Sequence, residues 1–494
     1  MATGDQVGHR DQLFGRLLIS SPQGHSGKTI ITVGLCRALK RRGFTTQPFK
    51  KGPDYIDPSW LTVAAGRNCR NLDLFLIPQH RMVLSFWQSC QGVDLALIEG
   101  AMGLYDGLDS HGTTAEIARL LNFPILLVIN TTRMTSSIAA MVTGYQQFQK
   151  DVRIAGVLLN YVSGSRHESK LRNAVEKYCG IPVVGSIPRD PDLGVTERHL
   201  GLIPSYESRE AESVVEQIGR KVESHCDMDC IISIAKEFSS PHSTPLPLEE
   251  RVIPDSLPLA GKTENMKDEA VRPRIGVIYD RVFHFYYPEN FEALTNEGAQ
   301  LIFIDSLKDR LPRLDGLYIG GGFPEFFLKE LEGNRELRQD IAEAVQEGLP
   351  VYAECAGLMY LCRNISWQNR SYEMVGVIPS EVKLSERPKG HGYVVAEVMD
   401  ENPLFPVGLT LRGHEFHHSN LLSLENLQFA YRVQRGQGIT GEKDGIVYKN
   451  LFASYIHLHA LGTPEWAEGF VSLASKGKKA TYKLLQVKDE AYLS

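Results

Sequence analysis

The stretch RLLISSPQGHSGKTIITVGLCRAL, residues 16–39, decides the fold of the first half of the chain. It joins a short apolar run, RLLIS (16–20), to a loop, SPQGHSGKT (21–29), and then to a helical pattern. A loop between a strand and a helix directs backbone N–H groups and the helix N-terminus at an anion. The Gly-Lys-Thr ending is typical of a phosphate-binding loop, although Pro22 replaces the first glycine of G-x-x-x-x-G-K-[ST].

This loop predicts an ATP site with a magnesium ion. Gly24 and Gly27 let the backbone approach the phosphates closely. Lys28 is then placed to reach the β and γ phosphates, and the Thr29 hydroxyl to ligate the metal. The alternative interpretation is an ordinary glycine-rich turn that caps a helix.

Two other polar stretches follow strands of the same half. Glu99 ends the apolar run DLALIE and is a candidate metal ligand, or else a carboxylate that caps a turn. FKKGPDYIDPSW (49–60) also follows a candidate strand, and such Gly-Pro and Asp-Pro sequences are usually only turns. Because the carboxyl ends of parallel strands share one edge, Lys50, Asp54 and Asp57 could also face the nucleotide and its acceptor.

Composition favours a soluble protein that acts on a small molecule. The 494 residues carry a net charge of −6, so no basic excess is available for nucleic acid or for an anionic membrane surface. The longest apolar runs, such as FPILLVI (123–129), are far shorter than the ~20 residues of a transmembrane helix. Eight scattered cysteines and the absence of a signal-like segment predict a cytoplasmic location.

Two α/β units are predicted. In the first half, short apolar runs alternate with helical stretches, which is typical of a parallel sheet buried on both faces. A Pro- and Ser-rich stretch follows, and a second alternation comes after it. We therefore expect a P-loop domain at 13–235, a linker at 236–272, a second α/β domain at 273–465 and a C-terminal extension at 466–494.

The second half contains a candidate nucleophile. In VYAECAGLMYL (351–361), a buried strand runs into a small-residue turn at Cys355, where a helix N-terminus would favour the thiolate. The alternative is that Cys355 is an unreactive cysteine of the hydrophobic core. Gly321 and Gly322 in YIGGGFPE (318–325) are candidate oxyanion donors, or simply a turn before a helix.

Eight motifs in this order resemble those of cobyrinic acid a,c-diamide synthases. That resemblance implies a dethiobiotin-synthetase-like P-loop domain joined to a class I, triad-type glutamine amidotransferase domain. The motifs cover nearly the whole chain: SPQGHSGKT (21–29), KKGPDYIDP (50–58), LIEGAMGLYDG (97–107), GGGFPE (320–325), AECAGLMYL (353–361), GHGYV (390–394), GHEFHHS (413–419) and SYIHLH (454–459).

The resemblance also implies roles in the ATP half. It makes Asp54 a magnesium ligand beside Thr29 and Glu99. Asn160 matches a position that reads the adenine edge, although a strand-end cap is the alternative. In the acceptor loop, Lys50, Tyr55 and Asp57 become candidate contacts of the substrate.

In the glutaminase half, the resemblance makes His457 the base that partners Cys355. Without the motif, a lone histidine beside an apolar strand would be read as core. Many amidotransferases carry a glutamate two residues after this histidine, but here His459 takes that place. An orienting group elsewhere and a Cys-His dyad remain equally open. The histidines of GHEFHHS resemble a metal site, but no cysteine or suitably spaced acid completes it.

The implied reaction uses ATP and magnesium to phosphorylate a peripheral acetate of a tetrapyrrole, and ammonia from L-glutamine to displace phosphate. Cobyrinic or hydrogenobyrinic acid, amidated at the a and c acetates, is the expected substrate. A sirohydrochlorin-derived compound, as in nickel sirohydrochlorin or sirohaem amide formation, is the runner-up. A P-loop ATPase switch with an inactive glutaminase-like module is the alternative from another class, which the presence of Cys355 and His457 disfavours. A homodimer is left open.

Overall fold

The computed structural model divides into two compact units. The first comprises residues 14–74 and 79–237, and the second comprises 75–78 and 272–476. Most of the predicted linker, at 238–271, lies outside the described residues. The structure describes residues 14–108, 111–190, 197–198, 201–208, 210–237 and 272–476.

Short strands that are buried along almost their whole length form the centre of the first unit, as the apolar runs predict. The strands are β1 (Gly15–Ser20), β2 (Thr46–Lys51), β3 (Arg70–Leu72), β4 (Leu95–Glu99), β5 (Ile125–Asn130), β6 (Ile154–Val162), β7 (Val183–Pro188), β8 (Glu197–Arg198) and β9 (Gly201–Leu202). The helices are α1 (Lys28–Arg41), α2 (Ile56–Ala65), α3 (Gln79–Ser89), α4 (Thr114–Leu120), α5 (Ser137–Phe148), α6 (Ser165–Cys179), α7 (Ala211–His225) and α8 (Met228–Glu237), with a 3₁₀ turn at Ser205–Glu207.

A seven-stranded parallel sheet positions the polar residues of this unit. Its order is β3-β2-β4-β1-β5-β6-β7. In the register of the sheet, Glu99 on β4 lies between Lys50 on β2 and Ile19 on β1. The carboxyl ends of β2, β4 and β1 therefore meet at one edge, where ligands gather in open α/β sheets.

The second unit is built from a larger mixed sheet. Its strands are β10 (Arg274–Ile278), β11 (Phe283–Phe285), β12 (Gln300–Ile304), β13 (Gly316–Ile319), β14 (Gly321–Gly322), β15 (Val351–Glu354), β16 (Cys362–Trp367), β17 (Arg370–Glu373), β18 (Ile378–Leu384), β19 (Gly390–Val398), β20 (Thr410–His417), β21 (Ser419–Leu422), β22 (Gln428–Arg435), β23 (Lys443–Tyr448), β24 (Leu451–Ser454) and β25 (His457–Leu458). The helices are α9 (Pro288–Asn296), α10 (Leu328–Gly333), α11 (Arg335–Gln346) and α12 (Ala356–Leu361), with a 3₁₀ turn at Pro324–Phe326 and a helix over 465–476.

Ten strands make this sheet, in the order β12-β10-β13-β15-β24-β23-β22-β19-β20-β25. The strands from β12 to β24 run parallel, and those from β24 to β25 pair antiparallel. A four-stranded sheet, β17-β16-β18-β21, and the β11-β14 pair accompany it. The strand that precedes the candidate nucleophile, β15, therefore lies inside the parallel half.

The core of the second unit continues past residue 465. Trp466 and Phe470, on the helix over 465–476, are fully buried. The Trp466 ring lies 5.2 Å from that of Tyr318 and 5.3 Å from that of Tyr352, measured between centroids. The start of the predicted 466–494 extension thus packs into the core through its aromatic side chains, and 477–494 lies outside the described residues.

Candidate active sites

The phosphate loop of the first unit requires glycine at one position. Gly27 lies between β1 and α1 with φ +83°, a left-handed conformation that favours glycine. A Cβ at Gly27 would lie 2.3 Å from Asn160 Nδ2, whereas a Cβ at Gly24 would meet nothing within 4 Å. Tyr145 donates a hydrogen bond to the carbonyl of Pro22 at 2.9 Å. The loop is therefore packed tightly at its helix end.

Lys28 occupies the centre of this loop. Its Nζ donates to Ser21 Oγ at 2.8 Å and to the Met102 carbonyl at 2.7 Å. Burial, with a further contribution from the nearby cation of Lys50, lowers the pKa of Lys28 to about 8. Neutral acceptors hold this ammonium now, so an incoming phosphate would be its first strong anionic partner.

A second lysine is surrounded by carboxylates at the edge of the sheet. Lys50 Nζ lies 2.5 Å from Asp57 Oδ2, 2.7 Å from Glu99 Oε1 and 3.8 Å from Asp54 Oδ2. Burial lowers the pKa of Lys50, but these carboxylates outweigh it and hold that pKa well above its ordinary value. The Thr29 hydroxyl donates to Glu99 at 2.7 Å, with Asp57 Oδ2 at 3.2 Å. The structure thus brings Thr29, Lys50, Asp57 and Glu99 together.

The oxygens of this cluster fit a magnesium ion. Glu99 is fully buried, and its Oε2 has no hydrogen-bond partner among the described residues. Burial and the neighbouring Asp57 raise the pKa of Glu99 to about 7 against the opposing effect of Lys50. A buried oxygen without a donor suits a cation, and magnesium prefers hydroxyl and carboxylate ligands of the kind that Thr29 and Glu99 provide.

Asp54 and Tyr55 occupy the turn before α2. Asp54 Oδ1 accepts from the backbone N–H of Ile56 at 2.8 Å and of Asp57 at 3.1 Å. Burial, followed by the charge of Asp57, raises the pKa of Asp54 to about 7. One oxygen of Asp54 therefore supports the turn while the other faces Lys50. Tyr55 is 9% exposed.

Asn160 contacts the phosphate loop itself. Its Nδ2 donates to the Ser26 carbonyl at 2.9 Å, and its Oδ1 accepts from the N–H of Tyr161 at 3.0 Å. The side chain lies against Gly27, where the hypothetical Cβ would collide with it. Asn160 thus braces the loop, and adenine recognition stays a prediction.

In the second unit, Cys355 sits on a sharp turn between β15 and α12. Its φ of +51° and ψ of −105° are unusual for a residue with a side chain. The turn depends on Gly357, because a Cβ there would lie 2.3 Å from the Ile319 carbonyl oxygen. Cys355 Sγ lies 3.7 Å from the Phe416 carbonyl. A strained strand-to-helix turn of this kind presents a nucleophile at the end of a sheet.

Gly321 lies next to the candidate base, and Gly322 packs against the Val282 backbone. A Cβ at Gly321 would be 2.4 Å from Cε1 of His457. Gly322 has φ +157°, and a Cβ there would overlap the Val282 carbonyl oxygen at 1.7 Å. Gly321 must lack a side chain for this backbone to approach the histidine, and Gly322 must lack one for it to approach Val282. Such bare backbone suits a cradle for a reacting carbonyl.

His457 is enclosed by three titratable side chains. His414, its register partner on β20, stacks on it with ring centroids 4.9 Å apart. Glu354 Oε2 lies 3.6 Å from His457 Nδ1. Burial lowers the pKa of His457, but interactions with Cys355 and Glu354 outweigh it and raise the pKa to about 9. Burial and the neighbouring His457 hold the pKa of His414 well below its ordinary value, which favours the neutral imidazole.

Models of two domain families match the two units. A CobQ/CobB/MinD/ParA nucleotide binding domain matches residues 17–202, and a CobB/CobQ-like glutamine amidotransferase domain matches 274–465. A cobyrinate a,c-diamide synthase of Magnetococcus marinus is 44% identical over 92% of this chain and 95% of its own length. One of Archaeoglobus fulgidus is 40% identical over 94% of this chain and 98% of its own length. This chain belongs to the cobyrinate a,c-diamide synthase family.

As a member of this family, the chain is a glutamine-dependent amide ligase with a nucleotide-binding domain. The expected pairing of a P-loop α/β domain with a glutamine amidotransferase domain is confirmed. Within the described ranges, no helix has the length and apolar character needed to cross a membrane.

In this member of the cobyrinate a,c-diamide synthase family, the motif GHEFHHS (413–419) lies beside Cys355 and His457. His417 Nδ1 donates to the Ser419 carbonyl at 3.0 Å, and His417 Nε2 lies 3.6 Å from Glu415 Oε2. The His417 ring stacks on Tyr455 at 3.7 Å, two residues before His457. Among the residues that the structure describes, the histidines of GHEFHHS join no group of three or more His, Cys, Asp or Glu that could hold a metal.

Sequence reasoning missed Glu354 and sought a carboxylate at residue 459 instead. His459 Nε2 lies 3.7 Å from Glu289 Oε2, so it has a carboxylate neighbour of its own. The carboxylate that faces His457 comes from the residue immediately before the nucleophile. The available signal was the acidic residue in VYAEC, because an ionisable group in an otherwise apolar buried strand demands a partner.

Proposed function

We propose that this enzyme amidates the a and c acetate carboxylates of cobyrinic acid, or of hydrogenobyrinic acid, with ATP and glutamine in cobalamin biosynthesis. The supporting observation is that one chain carries both a phosphate-loop cluster around Lys28 and Lys50 and a Cys355–His457 pair. The relatives that match it over more than nine-tenths of its length bear the cobyrinate a,c-diamide synthase name. The substrate is inferred from that name.

In the first half-reaction, a carboxylate oxygen of the substrate attacks the γ-phosphorus of ATP, giving an acyl phosphate and ADP. Lys28 neutralises charge on the phosphates, and Lys50 guides the acceptor carboxylate. We propose Thr29, Asp57 and Glu99 as the magnesium ligands. Asp57 takes the place of the expected Asp54, because Asp57 Oδ2 lies 3.2 Å from the Thr29 hydroxyl while Asp54 supports the turn. A bound magnesium ion would supply positive charge to the phosphate oxygens.

In the second half-reaction, the Cys355 thiolate attacks the glutamine amide carbon, and His457 protonates the leaving amide nitrogen, which departs as ammonia. The backbone around Gly321 and Gly322 stabilises the oxyanion. Water then cleaves the thioester to glutamate. Ammonia attacks the acyl phosphate and expels phosphate, which leaves the amide.

A cytoplasmic location is part of this proposal. All eight cysteines lie in the described residues, and none forms a disulfide. Free cysteines suit a reducing compartment.

The substrate assignment is tested by incubating the purified protein with ATP, glutamine and each macrocycle separately. We expect cobyrinic or hydrogenobyrinic acid to change mass by two successive carboxylate-to-amide conversions, each with release of one ADP. Amidation of only a sirohydrochlorin-derived macrocycle would show that this compound, and not cobyrinic or hydrogenobyrinic acid, is the substrate. Glutamine hydrolysis without any amide product on any macrocycle would refute the ligase proposal.

A further inference from the structure

We propose that Glu354 is the positioning residue of His457 and completes a Cys355–His457–Glu354 triad, with its carboxylate supplied by the residue before the nucleophile. This rests on the glutaminase half-reaction proposed above. It assigns the orienting group to a different position from the one that His459 occupies.

The Glu354 carboxylate faces the correct ring atom. Its Oε2 lies 3.6 Å from His457 Nδ1, and both side chains are about 1% exposed. A carboxylate at Nδ1 holds the proton there and leaves Nε2 for the nucleophile. In a site this dry, the same carboxylate also stabilises the imidazolium that forms when the thiol gives up its proton.

Three donors hold this carboxylate in place. Glu354 Oε1 accepts from Tyr352 Oη at 2.9 Å and from the Leu458 N–H at 3.0 Å. Its Oε2 accepts from Tyr318 Oη at 3.0 Å. Burial holds the pKa of both tyrosines well above its ordinary value, so both remain donors. Three such hydrogen bonds fix the position of the carboxylate.

The backbone explains how neighbouring residues can serve the same histidine. On a regular strand, Glu354 would share a face with Tyr352, and Cys355 would point to the opposite face. The φ of +51° at Cys355 ends the strand there and redirects its side chain. Glu354 pairs in register with Ser454 on β24, and three residues later that chain reaches His457. One strand and the turn that ends it therefore carry the orienting carboxylate and the nucleophile.

Other carboxylates of this unit serve different histidines. Glu289 Oε2 lies 3.7 Å from His459 Nε2, and Glu415 Oε2 lies 3.6 Å from His417 Nε2. Glu415 is also held by the N–H groups of Gln437 and Gly438 at 2.6 and 2.8 Å. The Glu289–His459 pair provides a matched control, because it has a similar distance and burial but lies on the neighbouring histidine.

The test compares Glu354→Gln, Glu354→Asp and Glu289→Gln in the full-length protein by glutamine hydrolysis. In Glu354→Gln the amide offers a donor to Nδ1, so we expect kcat to fall about 10²- to 10⁴-fold. The KM for glutamine should stay within a few-fold, since Glu354 does not touch substrate. Glu354→Asp should restore part of kcat, and Glu289→Gln should keep the wild-type value.

The pH profile separates positioning from packing. His457 has a pKa raised from 6.5 to about 9, with Cys355 and Glu354 facing it from β15 and its turn and His414 from β20. Its charged form therefore persists until the pH passes about 9. Removing the Glu354 charge lowers that pKa, so the alkaline loss of glutamine hydrolysis should move to lower pH in Glu354→Gln and stay in place in Glu289→Gln.

Unchanged kcat and an unmoved alkaline limb in Glu354→Gln would overturn the triad. If Glu354→Gln unfolds the protein, Tyr318→Phe provides a second test. It removes one hydrogen-bond donor to the Glu354 carboxylate without a change in charge. That variant should lower kcat several-fold with little change in KM, and an unchanged kcat would count against the role of Glu354. A wild-type protein that hydrolyses no glutamine would instead defeat the proposed function.

Discussion

The two sites hold buried charge in different ways. In the first unit, Lys50 lies among Asp54, Asp57 and Glu99, and two of these carboxyls, Asp54 and Glu99, have a pKa of about 7. In the second, the single carboxylate of Glu354 receives three hydrogen bonds and faces one histidine.

This difference reflects what each site still lacks. Buried carboxylates are costly without compensating charge, and in the first unit Lys50 supplies that charge. A bound nucleotide would redistribute these partners, so we expect loading to change the first site more than the second. The second already brings together the proposed nucleophile, base and orienting group. Substitutions in the first site should therefore impair only the reactions that use a nucleotide. Substitutions in the second site should impair glutamine hydrolysis whether or not a nucleotide is present.

The largest effect is expected for Cys355→Ser. A serine hydroxyl is a far weaker nucleophile beside the same histidine, so glutamine-dependent amidation should fall by more than about 10³-fold. Amidation with ammonium salts should remain near wild type, because the phosphate site is untouched. The measurement is amide formation with each nitrogen donor. Equal activity with glutamine in the variant would reject Cys355 as the nucleophile.

The next largest effect tests the phosphate loop. Lys28→Met keeps the side-chain length but removes the cation, so amidation with either nitrogen donor should fall about 10²- to 10³-fold. Glutamine hydrolysis in the absence of ATP should stay close to wild type. Lys170→Met, an exposed lysine on α6, is the control for loss of one positive charge. A Lys28→Met protein with normal amidation would remove Lys28 from the reaction.

Local patterns allowed much of the fold to be predicted. Apolar runs of four to eight residues mark the buried parallel strands, and the loop before α1 is contiguous in sequence. The positions of Asp54 and Asp57 were harder to assign, because a turn decides which of them meets Thr29. The sequence did not predict the role of Glu354, because on a regular strand Glu354 and Cys355 would point to opposite faces. Only the unusual backbone conformation of Cys355 brings the two side chains to the same histidine.

A smaller loss is expected for Gly321→Ala. The new Cβ would lie 2.4 Å from His457 Cε1 and would push the ring away from its partners. We expect kcat for glutamine hydrolysis to fall about 10²-fold, because a displacement of about 1 Å has this effect on catalysis. Gly333→Ala, where a Cβ meets nothing within 4 Å, should leave kcat unchanged. Ammonia-dependent amidation should survive in both variants, and a fully active Gly321→Ala protein would contradict the close approach at this glycine.

The smallest effect is expected for Asn160→Ala. Loss of the 2.9 Å bond to the Ser26 carbonyl loosens the phosphate loop, and one such bond contributes about 1 kcal/mol. The KM for ATP should therefore rise between about three- and tenfold, with glutamine hydrolysis unaffected. The same variant decides between bracing and adenine recognition when ATP is compared with GTP. If Asn160 only braces the loop, its removal weakens the binding of ATP and of GTP equally. If Asn160 reads the adenine edge, the variant enzyme loses its preference for ATP over GTP. A ratio of kcat/KM for the two nucleotides that stays constant would leave Asn160 as a bracing residue only and would contradict the predicted adenine contact.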